Sequence, residues 1–531
     1  MGVQMRFGGR ARTPNQWRTR TENTMPHSWN QERSETRILS RYDEVEEVKI
    51  SNYTRETSLD NIPVNRAYLL DGAHIYLDLQ NFDEILATTD VDGETSHKRA
   101  LRFLNLHYRA VHRILAETGA IRVDFHNQRL HAVVAKPYGA DTARDRIIRA
   151  VAIADLIQQV LQVTGDSDEK VPNAQVRVGI DSGKALVVNN GRRGAREPLF
   201  LGTPANRAAK FAAGTGTGIY LTNDARVAIG LRSLSKDLDR ETPLTAAEIA
   251  ACHDEAELEV TTDSIVKAWQ QEQKDTPIGS ISFSRPTPPA SNLDIDALTL
   301  SNSKRFDGIS IYADIDGFSE YVSTHIESNP EDVVRTLHVL RSELDAALSS
   351  DFAGCRVRFI GDCIHGLMVE GTAYTTNEES TLSNAVMCAG ALRSGFNTAQ
   401  SVLKRKRVAA GSLGLAIGFE FGWESATSLG MRQERIRCAM GRGVLASEGR
   451  QRVCTGTQTA IGDVAYRKAN LAIQDLFGKA QIVENLDYDA AVTALAAGDD
   501  KEAKLVESLA RQAAVPTVVQ TPALRPYFGK R

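Results

Sequence analysis

Ile311-Tyr312-Ala313-Asp314-Ile315-Asp316-Gly317-Phe318 and, about forty residues later, Arg358-Phe359-Ile360-Gly361-Asp362-Cys363-Ile364 decide how this chain is read. Ile311 to Ala313 is a short apolar run, so a buried strand delivers Asp314 to its end. Between the two stretches, Val333, Leu337, Leu340, Leu344 and Leu348 recur at helical spacing after Asn329 and Pro330, both suited to a helix start. Val357–Ile360 and Ile364–Val369 then flank Gly361-Asp362-Cys363, which predicts a tight hairpin with Asp362 at its tip. A strand end beside a hairpin tip brings two carboxylates to one place, and such oxygen donors suit a hard divalent cation. Either aspartate alone is explained by ordinary turn chemistry. The ordered set of strand, helix and hairpin favours the metal site.

The pattern occurs twice. Asp71-Gly72-Ala73-His74-Ile75-Tyr76-Leu77-Asp78 parallels Asp307-Gly308-Ile309-Ser310-Ile311-Tyr312-Ala313-Asp314, with 236 residues between Asp78 and Asp314. The run Val123 to Val134 matches the Asp362 hairpin, with Gln128 in the place of Asp362 at a separation of 234. Val178-Gly179-Ile180-Asp181-Ser182-Gly183 matches Ile417-Gly418-Phe419-Glu420-Phe421-Gly422 at 239, and Gly202 matches Gly441 at the same interval. A nearly constant offset over four landmarks reads as two tandem copies of one unit. Each is expected to run strand, helix, hairpin, helix, strand, an α+β fold with a βαββαβ ferredoxin-like core. The first copy's helices are placed near Leu101–Leu115 and Ile147–Leu161, its hairpin near Arg122–Val134.

The two aspartate motifs resemble those of class III adenylate/guanylate cyclases. The resemblance implies a reaction joining the 3′ oxygen of a nucleoside triphosphate to its own α-phosphate, with release of pyrophosphate. It implies two divalent cations, Mn²⁺ or Mg²⁺, held by Asp314 and Asp362, with the Ile315 carbonyl as a backbone ligand. The family's later motif, whose Asn orients the ribose and whose Arg stabilises the transition state, is similar to Gly202-Thr203-Pro204-Ala205-Asn206-Arg207-Ala208-Ala209-Lys210. Asn206 is kept and Lys210 takes the Arg position, preserving the charge without the bidentate fork. The second copy has Leu445 and Gly449 there, while the first has Asp78 but Gln128 at the metal positions. Family sites form between two domains, so the copies imply one intact site in an intramolecular pseudo-heterodimer and one dead site.

At the base-reading positions the resemblance puts Asp124 and Leu199, where adenylate cyclases have Lys and Asp and guanylate cyclases Glu and Cys. An ionised Asp124 accepts only, which suits the N3–H of uracil or the amino group of cytosine, although a solvated strand aspartate explains it equally. This departure and the stand-alone architecture resemble the Pycsar pyrimidine cyclases of bacterial anti-phage defence, which make cyclic UMP or cyclic CMP for a downstream effector. The rivals are a purine cyclase with an unfamiliar pocket and a non-catalytic nucleotide sensor of cyclase fold.

The rest of the chain bounds this reading. A length of 531 residues with 42% hydrophobic content is enough for two or more cores. A net charge of −4 gives no broad footprint for nucleic acid or anionic lipid. The six cysteines show no CxxC pair, which fits reduced thiols, and no run is long enough to span a bilayer. A cytoplasmic enzyme is expected, with its oligomeric state open. Residues 1–60 read as a partly ordered arm, with eight arginines before residue 42 most simply explained as solvated. Residues 61–235 and 304–485 are the two expected domains. Residues 236–303 read as a helical, then Pro- and Ser-rich linker, and 486–531 as a helix and tail. The glycine-rich Gly214 to Gly218 lacks a following Gly-Lys-Ser/Thr and is no phosphate loop. His107 and His112 read as ordinary helix residues, Lys404–Arg407 as a solvated face, and Trp423 stands where some cyclases bind phosphate with Arg.

Overall fold

The computed structural model describes residues 27–87, 92–190, 198–431 and 434–513. The first sheet contains β1 (Lys49–Asn52), β2 (Arg66–Leu79), β3 (Ile121–His126), β4 (Arg129–Val134), β5 (Val176–Asn189), β6 (Pro198–Leu201) and β7 (Gly218–Leu221). Its order is β3-β4-β2-β5-β6, with β1 parallel to β2 and β7 parallel to β5. The second contains β8 (Phe283–Ser284), β9 (Ser303–Asp316), β10 (Cys355–Ile360), β11 (Cys363–Met368), β12 (Gly414–Leu429), β13 (Ile436–Met440), β14 (Gln458–Ile461) and β15 (Ile482–Glu484). There the order is β10-β11-β9-β12-β14-β15, with β13 on β12 and β8 on β9.

The repeat extends to irregularities. The β3–β4 register slips between Arg122 and Asp124, and the β10–β11 register slips between Arg356 and Arg358, the matching positions. Both hairpin turns hold a left-handed residue, Asn127 (φ 48°) and Gly361 (φ 61°), residue types that tolerate that region. A Cβ on Gly179 would lie 2.2 Å from the Ala208 carbonyl oxygen, and one on Gly418 would lie 2.2 Å from the Gln451 nitrogen. Only glycine lets the following helix pack this closely on its strand in each copy.

The cores are shared. Leu429, Ile436 and Met440 of the second sheet lie in the first sheet's apolar cluster, with Ile75, Leu104 and Ile153. Leu186, Val188, Leu199 and Leu201 of the first sheet lie in the second sheet's cluster, with Ile311, Leu340 and Phe419. This reciprocal burial presses the two sheets' ends together, and the hydrophobic term rewards both at once.

Residues 236–303 are no slack tether. The helix Thr262–Asp275 buries Ile265 and Trp269 against the first core, and its Glu272 accepts from Arg109 (2.8 Å) and from Arg113. Ala290, Leu293 and Ile295 then pack on Phe306 and Val357 of the second sheet. In the arm, Gln31–Asp43 is a helix whose Arg37 bonds Glu343 (2.7 Å) and Asp351 (2.9 Å), so this arginine is an ion-pair partner and not merely solvated. Arg6, Arg10, Arg12, Arg18 and Arg20 lie outside the described residues. The expected C-terminal helix is two, Tyr488–Ala497 and Lys501–Ala513. Asp500 breaks it by accepting from Ser383 and Asn470 while capping the second helix at Ala503. Among the described residues no helix is long and apolar enough to cross a membrane.

Candidate active site

Asp314 lies two residues before the end of β9, directly across from Cys363 at the start of β11, because Ala313 pairs with Ile364. Asp362 occupies the turn between β10 and β11, half-buried beneath the facing copy. Burial raises the Asp314 carboxyl to about 6, helped by Asp316 and Glu448. Burial raises the Asp362 carboxyl well above its usual range, and the neighbouring Asp314 adds to this. The motif's other aspartate, Asp316, turns away and accepts from the Gly456 backbone N–H (2.8 Å). Ile315 is buried, so only its carbonyl is of use to a ligand.

Neither Asp314 nor Asp362 has a cationic side chain within ion-pair distance among the described residues. Arg341 attracts Asp362 only from beyond ion-pair distance, and two crowded carboxyls so weakly compensated fit a hard divalent cation, which would favour their ionised forms. Among the described residues no group of three His, Cys, Asp or Glu side chains surrounds a metal position, so the remaining ligands of such an ion fall to water and substrate phosphates.

The facing wall comes from the other copy. The helix Thr203–Ala212 follows β6 and carries Asn206 and Lys210 one turn apart on one face. Lys210 is exposed, and neither side chain has a partner among the described residues. One cleft of about 540 Å³ is lined by Asp314, Asp362, Asn206, Lys210, Asp124 and Leu199. Leu199 is 8% exposed and belongs to the second sheet's core, so its contribution to the cleft is an apolar wall.

Asp124 is not the open acceptor the sequence suggested. The Arg358 guanidinium donates to its Oδ1 and to the Phe125 carbonyl oxygen. Arg358 is the residue at the matching place on β10, so this ion pair joins equivalent positions across the pseudo-dyad. Sequence reasoning missed Arg358, although the 234-residue offset that paired Gln128 with Asp362 also pairs Asp124 with Arg358. His126 lines the same cleft, and burial followed by Arg358 keeps its ring from protonating.

The matching place in the other half is filled by protein. Asp78 Oδ2 accepts from Gln80 (2.7 Å), while Asp78 Oδ1 and Gln128 Oε1 are buried without partners among the described residues. Arg129 stands in register with Asp78, where Cys363 faces Asp314, and pairs with Glu448 at 3.1 Å. Leu445 packs on the first core.

His107 is buried and bonds the Phe103 carbonyl, and His112 pairs with Glu434. Lys406 lies over the Tyr42 ring (4.7 Å) and Arg405 pairs with Glu35, so that basic run is partly docked. Arg305 covers the Trp423 ring at 4.1 Å.

No family model matches the chain. A uridylate cyclase of Pseudomonas aeruginosa is 52% identical over 487 residues, spanning 91% of this chain and 94% of that protein. A uridylate cyclase of a Rhizobium species is 39% identical over 437 residues, 80% of this chain and 83% of that one. The crystal structure of a class III adenylyl cyclase-like ATP-binding protein from Pseudomonas aeruginosa superposes with a TM-score of 0.87. It is 52% identical and covers 89% of this chain and all of its own. With relatives this similar over most of their length, the chain belongs to the family of uridylate cyclases.

Proposed function

We propose that the chain converts UTP to 3′,5′-cyclic UMP and pyrophosphate at one site shared between its two halves, residues 61–235 and 304–485. The observation that carries this is the single cleft lined by Asp314 and Asp362 from one copy and by Asn206 and Lys210 from the other.

The ribose O3′ bonds to the α-phosphorus, the bond from that phosphorus to the bridging oxygen breaks, and pyrophosphate leaves. The hydroxyl proton passes to water in the open cleft. Asp314, Asp362 and the Ile315 carbonyl would hold Mn²⁺ or Mg²⁺, which when bound lowers the pKa of the attacking hydroxyl and offsets triphosphate charge. Asn206, whose amide has no partner among the described residues, orients the ribose so that O3′ stays in line with the leaving group. Lys210, one turn on, places a cation where negative charge develops on the phosphoryl oxygens. Asp124 lines the cleft and accepts from the N3–H of uracil, while Arg358, bonded to it and to the Phe125 carbonyl, holds that carboxylate in place. Leu199 closes the apolar side.

The product serves a cyclic-nucleotide effector in anti-phage defence in the cytoplasm, within the same proposal. A second reading, a purine nucleotide in the cleft, is favoured by the ATP-binding description of the Pseudomonas structure. Incubation of the purified protein with each of the four NTPs and Mn²⁺, followed by mass spectrometry, decides between them. Cyclic UMP as the main product is expected. A purine cyclic nucleotide alone, or no product, overturns the proposal.

A further inference from the structure

A second cavity, of about 710 Å³, lies behind the catalytic cleft between the helix Pro330–Ala346, the end of β5 and the start of β10. Its walls carry Arg41, Arg341, Arg356 and Arg437, and three of these are answered locally. Arg41 bonds Glu44 (2.6 Å), Arg437 bonds Asp296 (3.0 Å) and Arg356 faces Asp345 (3.4 Å). His338 also lies on the wall and shares Glu44 (3.0 Å). Arg341 differs. It is 4% exposed and stacks on Phe359 (3.7 Å), and it donates to the Asn190 carbonyl and amide oxygens at 2.9 Å. No carboxylate lies within ion-pair distance of it among the described residues, and its Nε is buried without a partner.

A buried guanidinium without a counter-ion is costly, and proteins rarely keep one unless something pairs with it. Burial, reinforced by Arg356, pulls this guanidinium down to about 9, and the attraction of Asp362, Asp345 and Asp124, none of them in ion-pair contact with it, offsets this only in part. The helix interior does not require it, since Leu337, Leu340 and Leu344 already supply the packing face.

We propose that this cavity binds a small phosphate-bearing anion against Arg341. The acids Glu44, Asp296 and Asp345 on the walls disfavour a polyphosphate and limit the ligand to one phosphoryl group. The open volume and the apolar surfaces of Val64, Val188, Leu337 and Phe359 leave room for a carbon body. Inorganic phosphate and a phosphate monoester share the recognised group. They differ in whether that apolar wall is used.

The inference stands apart from the cyclase reading, because binding is measurable without turnover. Thermal unfolding of the full chain in phosphate-free buffer is compared with saturating inorganic phosphate and with phenyl phosphate. A rise of ~2 °C or more with at least one probe is expected, larger with phenyl phosphate when the apolar wall is used. The rise persists in Asp314→Ala, which alters only the catalytic cleft. It vanishes in Arg341→Met and in Ser342→Glu, whose new carboxylate on the cavity wall supplies the missing counter-ion internally. Ser342 is only partly buried, so Ser342→Glu decides the matter if Arg341→Met does not fold. No rise in the wild type with either probe, or an undiminished rise in Ser342→Glu, overturns the proposal.

Discussion

The matching half-sites at the ends of β2 and β9 balance their buried carboxyls in opposite ways. At β9, Asp314 and Asp362 crowd each other beside Cys363, with no ion-pair partner among the described residues and only the more distant Arg341 attracting Asp362. At β2, Asp78 lies across from Arg129, which occupies the position of Cys363, and Gln128 sits in the hairpin turn where the other half has Asp362. A guanidinium built into the chain stands at the place where the proposed cations of the other half would sit, and it is paired with Glu448. The exchange is reciprocal on the facing helices, with Asn206 and Lys210 over the acidic half and Leu445 and Gly449 over the other. One duplicated interface thus separates into a site whose charges are incomplete and a joint whose charges are closed. Incompleteness marks the functional half.

The largest test of this contrast is Asp362→Asn. On the proposed two-cation reading, removing one of the two carboxylates forfeits several kcal/mol of transition-state charge stabilisation, so turnover should fall by about 10³-fold or more. The fold should survive, because the hairpin turn at Gly361 needs no charge and the substitution relieves a buried acid. Circular dichroism beside a product assay checks both, and a variant with more than a tenth of wild-type activity removes Asp362 from the site.

Next come Asn206→Ala and Lys210→Ala, each expected to lower turnover by about 10²-fold through lost ribose alignment or lost phosphoryl charge. Mixing Asn206→Ala with Asp314→Ala should restore nothing. The segment 236–303 is stitched to both sheets through Trp269 and Leu293, so the halves of one chain stay together. Activity regained on mixing would mean that sites form between chains.

Much of this was legible in the sequence, because the signals are local. The strand, hairpin and Asn206 helix announce themselves within ten residues each, and the repeat offset carried the pairing of Gln128 with Asp362. What stayed hidden are contacts whose partners lie far apart. Arg358 and Asp124 are 234 residues apart, and Arg341 and Asn190 are 151 apart. A lone arginine among the leucines of an amphipathic helix says nothing of its missing counter-ion until the opposite wall is known. The linker misled for another reason: its Pro- and Ser-rich average conceals sparse anchors such as Ile265, Trp269 and Ile295, and burial of a few large side chains suffices to dock it.

Gln128→Asp sharpens the contrast from the closed side. It restores the second acid of the dead half yet should leave turnover within about twofold, since Leu445 and Gly449 cannot orient a ribose. Its effect falls on stability instead. A second carboxylate beside Asp78, where Gln128 Oε1 is already buried, should destabilise by ~2 kcal/mol, read from denaturant unfolding. New cyclase activity insensitive to Asp362→Asn would show that the dead half was only one residue from life.

The smallest expected effect is Asp78→Asn, and its sign depends on pH. Burial lifts the Asp78 carboxyl to about 6 in spite of Arg129, which pulls the other way. A carboxyl whose folded pKa lies above its unfolded value costs stability once it must ionise. That cost is absent below about pH 4, where both states are protonated, grows between 4 and 6, and is full above 6. Asparagine keeps the shape and never ionises, so the variant should match the wild type at pH 4 and exceed it by ~1 kcal/mol at pH 8. The attraction of Arg129 is already contained in that raised value and is why the gain is not larger. Unfolding midpoints at the two pH values give the test directly. A variant less stable than the wild type at pH 8 would mean that Arg129 compensates Asp78 in full, and that the closed half is held by an ion pair rather than merely tolerating a buried acid.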